Sequence, residues 1–254
     1  MLTLVLNLRH RTDRRDAMLE KLQPLGLTPT FIEAINGSAP EHAGMIEQTV
    51  TRTGLNPNEV GCYLSHVKAW RSLLASDSAD ALILEDDALL DPILPEILIL
   101  LQQHASKLHV VRLSALCKIV GRHVYHLTPQ HSLIYTTKNP SGAQGYYLTR
   151  AGAAMLVQHM TDIACAIDTE LDRYWQWGGE ILTLNPSVLH HDQSSASDIG
   201  GQMRAPSRRA SPRWDQRVLA SLNKHWLTAC LRASHPLFWQ EMKQFISAGR
   251  SRDH

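Results

Sequence analysis

Residues 81–87 read Ala-Leu-Ile-Leu-Glu-Asp-Asp, an apolar run stopped by three consecutive carboxylates. The run has the pattern of a buried strand, and the acids mark its carboxyl end. On an extended backbone Glu85 and Asp87 point to one side and Asp86 to the other. Open α/β sheets bind ligands at the carboxyl ends of their strands. Like charges this close raise each other's pKa unless a cation neutralises them. A hard divalent ion, Mg²⁺ or Mn²⁺, with oxygen ligands and substrate phosphates would do so. The alternative is a solvated turn that caps the next helix.

The rest of the chain alternates strands with helices. Leu2, Leu4, Leu6 and Leu8, with Val5 among them, read as a central strand, and Asp13–Leu25 as a helix ending at Gly26. Phe31–Ile35 is a short strand running into the turn Asn36-Gly37, and residues 38–54 read as loop-rich. Asn56-Pro57-Asn58-Glu59 is a helix start with a cap, a proline at the first helical position and a capping-box acid. Val60, Tyr63, Leu64, Val67, Trp70 and Leu74 then share one helical face. Further helices are expected at Ile93–Leu101 and Ala151–His159, and further strands at His109–Leu113, Ser132–Thr137 and Gly145–Leu148. Such alternation predicts a layered α/β sheet. Residues 1–195 form the expected catalytic domain, 196–213 a Ser/Gly/Ala/Pro/Arg-rich linker, and 214–254 a helical tail.

In a chain of 254 residues, the formal charge of +1 argues against a generally basic nucleic-acid coat. The total hides a split. From Ser197 onward there are ten Lys/Arg against four Asp/Glu, so the body is acidic and the tail basic. The opening residues put an apolar stretch before their charges, the reverse of a secretory leader, and no window approaches the ~18 apolar residues of a spanning helix. Cys62, Cys117, Cys165 and Cys230 are dispersed with no CxxC pair, which points to reduced thiols in a cytosol. No dinucleotide glycine loop, P-loop or nucleophile elbow occurs.

Several motifs in order resemble glycosyltransferase family 25, which includes bacterial lipooligosaccharide galactosyl- and glucosyltransferases and the collagen galactosyltransferases. They are Leu6-Asn7-Leu8-Arg9 with Asp13-Arg14-Arg15, and Ala34-Ile35-Asn36-Gly37, where Asn36 replaces the usual Asp. Glu59 through His66, Ala69-Trp70-Arg71 and Leu82 through Asp87 follow. Gly145 through Leu148, Arg150 through Ala153 and Ile167-Asp168 complete the set. The resemblance covers about residues 3–200. It implies a GT-A-like, Rossmann-related mixed sheet with flanking helices, here with a C-terminal helical appendage. It also implies a UDP-sugar donor, inversion at the anomeric carbon, and Glu85-Asp86-Asp87 as a version of the Asp-x-Asp motif.

On that reading Asp87 is the leading metal ligand, and Glu85 or Asp86 serves the ion, the ribose or a metal-bound water. His190 or His191 completes the Mn²⁺ (or Mg²⁺) shell; the alternative is polar surface. Asn7, Arg9 and Arg14 are nucleotide contacts. Ser65 and His66 face the donor, or His66 is a hydrogen-bonded core residue. Asp168 is the first candidate for the base and Glu170 the second, each able to take an acceptor proton; the alternative is that Asp168 caps a helix. Trp175 and Trp177 form a sugar platform or part of the core.

The expected reaction moves galactose first, glucose second, from UDP to a lipooligosaccharide-type glycolipid. Its alternatives are metal-dependent phosphoester hydrolysis and a binding or scaffold protein without turnover. Arg204, Arg208, Arg209, Arg213, Arg217, Lys224 and Arg232 lie among Leu219, Leu222, Trp226, Leu237, Phe238 and Trp239. This pattern suits an interfacial anchor on the cytoplasmic face of an inner membrane. The alternative is a hairpin that packs back on the domain.

Overall fold

A computed structural model describes residues 1–137, 140–159, 162–191, 222, 225–226 and 229–250, with backbone alone at 175 and 245–250. The first part runs β1 (Leu2–Asn7), α1 (Thr12–Leu22), β2 (Pro29–Glu33), α2 (Ala43–Thr53), α3 (Pro57–Ala75), β3 (Asp80–Glu85), β4 (Ala88–Leu90) and α4 (Leu94–Gln103). The second runs β5 (Val110–Arg112), β6 (Gly121–His126), β7 (Ser132–Thr136), β8 (Gly145–Thr149), α5 (Arg150–His159), α6 (Ile167–Leu171), α7 (Tyr174–Trp177), β9 (Ile181–Asn185) and β10 (Leu189–His191). After these comes α8 (Pro236–Arg250).

Eight strands form one mixed sheet in the order β2-β1-β3-β8-β5-β9-β7-β6, and β4 pairs with β10 in a separate ribbon. The neighbours β2, β1 and β3 are parallel, whereas β8 runs antiparallel to both β3 and β5. The carboxyl ends of β1, β2 and β3 therefore open on the same edge. This is the expected mixed α/β sheet with flanking helices.

Strand alternation sorts the core into two layers. Leu4, Leu6, Ala81 and Ile83 pack against α2, α3 and α5–α7 on one face; Val5, Leu82 and Leu84 pack against α1 and α4 on the other. With both faces covered, these strands read as continuous apolar runs.

One expectation fails locally, and one strand was not anticipated. Residues 38–54 are not loop-rich, because Ala43–Thr53 is helical and buries Ile46, Thr49 and Thr53, closing at Gly54 with φ +73°. Two of those three buried residues are threonines, so the apolar periodicity was thin. Strand β6, with Arg122, His123 and His126, is too polar to announce itself as a strand. It lies at the sheet edge, where one side needs no apolar cover.

The capping box of α3 forms as read. Asn56 Oδ1 accepts from Glu59 N at 2.8 Å, and Glu59 Oε2 accepts from Asn56 N at 2.9 Å. This helix start is pressed against the turn after β2: a Cβ on Gly37 would lie 1.9 Å from the Pro57 carbonyl oxygen, and one on Gly61 would lie 2.4 Å from that of Ile35.

The linker at 196–213 and the tail from 214 to 221 lie outside the described residues, as does Lys224. Of the described tail residues, Leu222 and Trp226 are exposed, whereas Leu231, Leu237 and Phe238 pack on the domain. Leu237 is fully buried in the layer of α1 and α4, Lys107 Nζ donates to Gln240 Oε1 at 2.7 Å, and buried His235 meets Glu180 at 3.1 Å. Trp177 is core, its indole donating to the Leu171 carbonyl at 3.1 Å. No helix among the described residues is long and apolar enough to cross a membrane.

Gly37→Ala should cost about 1–3 kcal/mol through overpacking against α3, measured by chemical denaturation. Gly44→Ala, where nothing lies within 4 Å, is the control and should be neutral or slightly stabilising. Equal stability of the two variants would rule out the close contact.

Candidate active site

A cleft of about 490 Å³ opens at the carboxyl ends of β1, β2 and β3, roofed by the start of α3, the 142–144 segment and α6. Glu85, Asp86 and Asp87 all line it, with Arg14, Ser65, Cys62, Asp168 and His191. The three acids reach it with different partners. Asp86 is nearly buried and accepts from Asn7 Nδ2 at 2.8 Å and from Arg14 Nη1 at 2.9 Å. Glu85 meets His66 Nε2 at 3.4 Å and Cys62 Sγ at 3.8 Å. Asp87 Oδ2 lies 3.6 Å from His191 Nδ1.

His191 reaches Asp87 because β10 runs antiparallel to β4, with His191 opposite Ala88. His190 is exposed, since neighbouring side chains on a strand point to opposite faces. The structure therefore brings His191, and not His190, to the carboxylates.

His66 is fully buried. Its Nδ1 pairs with Tyr146 Oη at 2.8 Å, and that oxygen also accepts from Trp70 Nε1 at 2.7 Å. Indole can only donate, so the hydroxyl proton goes to His66 Nδ1, and Nε2–H faces Glu85. His66 is thus the hydrogen-bonded core residue of the two readings, and it aims Glu85 rather than lining the cleft. Ser65 lines the cleft, but its hydroxyl is used on backbone: Oγ donates to the Gly61 carbonyl at 2.7 Å and accepts from Ile35 N at 2.8 Å. Asn7 likewise holds Asp86 and the Arg11 carbonyl. Arg9 is exposed and off the cleft, while its neighbour His10 lines it.

Asp168 and Glu170 are two residues apart on α6, which turns them to opposite sides. Asp168 lines the cleft, where Oδ1 accepts from Thr169 N at 2.7 Å and Oδ2 from Gly142 N at 3.4 Å. Glu170 is buried away from it, accepting from Cys165 Sγ at 2.8 Å and Arg173 Nη1 at 3.2 Å. Sequence reasoning missed Arg112, a fully buried cation at the end of β5. It donates to the carbonyls of Gly142 and Asp168 and pairs with Asp172 at 3.0 Å, so it supports both walls beside Asp168. The signal was present: an arginine inside the apolar run His109–Leu113.

Burial first, and then the charge of Glu85, raises the Asp87 carboxyl to about 6; His191 opposes this, Asp86 adds to it and Arg14 opposes it. Burial and Glu85 also push the Cys62 thiol well above its usual range, so Cys62 donates to Glu85 rather than acting as a thiolate. Buried Asp87 Oδ1 and His191 Nδ1 have no hydrogen-bond partner. A carboxylate and an imidazole, each with an unused lone pair, fit a divalent ion of the Mn²⁺ or Mg²⁺ type.

A family model described as glycosyltransferase family 25 (LPS biosynthesis protein) matches residues 1–171. The chain is similar to procollagen galactosyltransferase 2 of Homo sapiens, 28% identical over 93 residues, which are 33% of this chain and 15% of that protein. It is also similar to a human protein named inactive glycosyltransferase 25 family member 3, 31% identical over 93 residues, or 33% of this chain and 16% of that one. The chain therefore spans about a sixth of the length of these relatives. Among solved structures, a glycosyltransferase involved in glycosylation of the major capsid of PBCV-1 aligns with TM-score 0.40 and 9% identity, over 77% of this chain and 93% of that one.

A carboxyl whose pKa is raised in the fold, from 3.8 to about 6, binds more protons folded than unfolded between those values. Stability is therefore lost as pH rises through that window. Asp87→Asn should stabilise the metal-free protein above pH 6, by an amount on the order of 1–3 kcal/mol, and weaken Mn²⁺ binding at least tenfold. Wild-type Mn²⁺ affinity should fall below pH 6. Melting curves against pH and Mn²⁺ titration test both parts; an Asn variant no more stable than wild type at pH 8 would contradict the first.

Proposed function

The chain belongs to glycosyltransferase family 25, and on that premise we propose a metal-dependent, inverting transferase that moves a hexose from a UDP-sugar to a glycolipid hydroxyl. Galactose is the first donor and glucose the second, with a lipooligosaccharide-type acceptor. The observation that carries this reading is the meeting of two chemistries in one cleft: the Asp87–His191 pair beside Glu85, and the separately anchored Asp168 carboxylate.

Inversion is a single displacement. Asp168 accepts the proton of the acceptor hydroxyl as that oxygen attacks the anomeric carbon. Thr169 and Gly142 hold the carboxylate in place through their backbone N–H groups, so its geometry is set before substrate arrives. Asp87 and His191, with Glu85, would hold the divalent ion. When bound, such an ion supplies charge stabilisation to the departing diphosphate. Arg14 lines the same cleft and keeps Asp86 fixed; Asn36, whose Oδ1 accepts from Ser38 N at 3.0 Å, shapes the opposite rim.

The name of the inactive human relative supports a second reading, a binding protein without turnover. With UDP-galactose, Mn²⁺ and a glycolipid acceptor, transfer should release UDP. UMP with galactose 1-phosphate instead would indicate hydrolysis at the diphosphate, and donor binding with no product would favour the binding protein. Asp168→Asn should lower kcat about 10²–10⁴-fold while leaving donor affinity within a few-fold. Glu170→Gln should lower the melting temperature more than kcat. If Asp168→Asn keeps full turnover, the base assignment fails.

The proposed cytoplasmic membrane-surface location rests on the basic tail with its exposed Leu222 and Trp226, 60% and 74% accessible. Leu237 is in the core and contributes nothing to a lipid face. The double variant Leu222→Ser, Trp226→Ser should lose binding to anionic vesicles without loss of melting temperature. Undiminished binding would remove the anchor from this segment.

A further inference from the structure

Strand β6 is the outer edge of the large sheet and carries His123 and His126. Residues three apart on a regular strand face opposite ways, but the register shifts between His123 and Tyr125. Such an irregularity returns the second histidine to the face of the first. The two rings lie 4.0 Å apart, centroid to centroid, tilted by 39°. Glu241, on α8, reaches both: Oε2 is 3.7 Å from His123 Nε2, and Oε1 is 3.7 Å from His126 Nε2. The three donor atoms lie within 4.8 Å of one another, and none of these residues lines the donor cleft.

These contacts are too long for hydrogen bonds, and the polarity of the group is unresolved without a cation. His126 Nδ1 is engaged at 2.7 Å with Ser132 Oγ; donating there, it leaves the Nε2 lone pair facing a carboxylate. His123 Nε2 is buried with no hydrogen-bond partner. With both Nε2 atoms unprotonated, two imidazole lone pairs and one carboxylate face one another within 4.8 Å.

We propose that His123, His126 and Glu241 bind a zinc-class divalent ion that clamps the C-terminal helix to the edge strand. A tetrahedral ion with bonds of about 2.0–2.1 Å holds its donors about 3.3–3.4 Å apart; the two 3.7 Å contacts, made by different oxygens of Glu241, and the third separation, within 4.8 Å, reach that geometry by side-chain rotation. Two imidazoles and a carboxylate select zinc over ions that prefer all-oxygen shells. Ser132 orients the His126 ring from behind, and the fourth position is left to water. Arg232, whose Nε donates to the His123 carbonyl, is a nearby cation that tempers the affinity. The clamp acts where α8 otherwise holds the domain by Leu237 and a few polar contacts, and it covers the open edge of the sheet.

The test uses the full chain freed of metal by chelator, as wild type and as Glu241→Gln, His126→Gln and Asp87→Asn. In calorimetric titration with ZnCl₂, wild type and Asp87→Asn should share a zinc site that the Glu241→Gln and His126→Gln variants lack. At free Zn²⁺ about 100 times Kd, hydrogen exchange of the α8 amides should slow by up to about 100-fold in the first two proteins. It should not change in the last two. Glu241 sits on the helix surface, so Glu241→Gln decides the matter if His126→Gln does not fold. Equal zinc stoichiometry in Glu241→Gln and wild type, or no protection of α8 in wild type, would overturn the clamp. Equal protection by Mn²⁺ would overturn the choice of zinc.

Discussion

Three adjacent carboxylates at the end of a buried strand set the terms for the structure around them. Two like charges at about 4 Å repel by roughly 4 kcal/mol at an effective dielectric of 20, and burial removes the water that would moderate them. The chain divides the compensation among three elements. The β1–α1 unit sends Asn7 and Arg14 to Asp86, α3 sends Cys62 and His66 to Glu85, and the β4–β10 ribbon brings His191 to Asp87. The turn makes this possible: β3 ends at Glu85, and Asp86 and Asp87 follow in a turn that gives each a separate set of partners within one cleft.

A second layer holds those partners still. Trp70 and Tyr146 fix the tautomer of His66, and Arg112 ties Asp172 to the carbonyls beside Asp168. Breaking a buried ion pair by removing one partner costs about 3–5 kcal/mol because a charge is left alone. The Arg112–Asp172 pair is therefore a firm tie between the middle of the sheet and the short helix that presents Asp168. Close approach does the same work at the other rim, where Gly37 and Gly61 let the turn after β2 lie directly against α3.

What was legible in the sequence follows from how local each signal is. The capping box at Asn56 and the apolar strands Leu2–Asn7 and Asp80–Glu85 are written in contiguous residues and formed as read. Helix α2 was not legible because its buried face is mostly threonine, nor was β6, an edge strand that needs little apolar cover. At the site, the acidic triplet was plain, but its partners were not ranked. Asp168 and Glu170, like His190 and His191, are equivalent as residue types; the turn of α6 and the antiparallel pairing of β10 separate them. Asn7, Ser65 and His66 were found by position, yet they act on the backbone and on the carboxylates. That distinction depends on hydrogen-bond partners 4 to 80 residues away in sequence.

Compensation is incomplete at Asp87, whose carboxyl burial and Glu85 raise to about 6. Asp86 has two donors and Glu85 has two neighbours, whereas Asp87 faces one imidazole and keeps an unpartnered buried oxygen. The unrelieved charge therefore sits on Asp87, while Asp86 is held by Asn7 and Arg14. Protonation of Asp87 relieves that repulsion below about pH 6; on the proposed function a bound cation would relieve it at higher pH and stabilise the fold by mass action. Proton uptake and folding are therefore coupled through the same carboxylate.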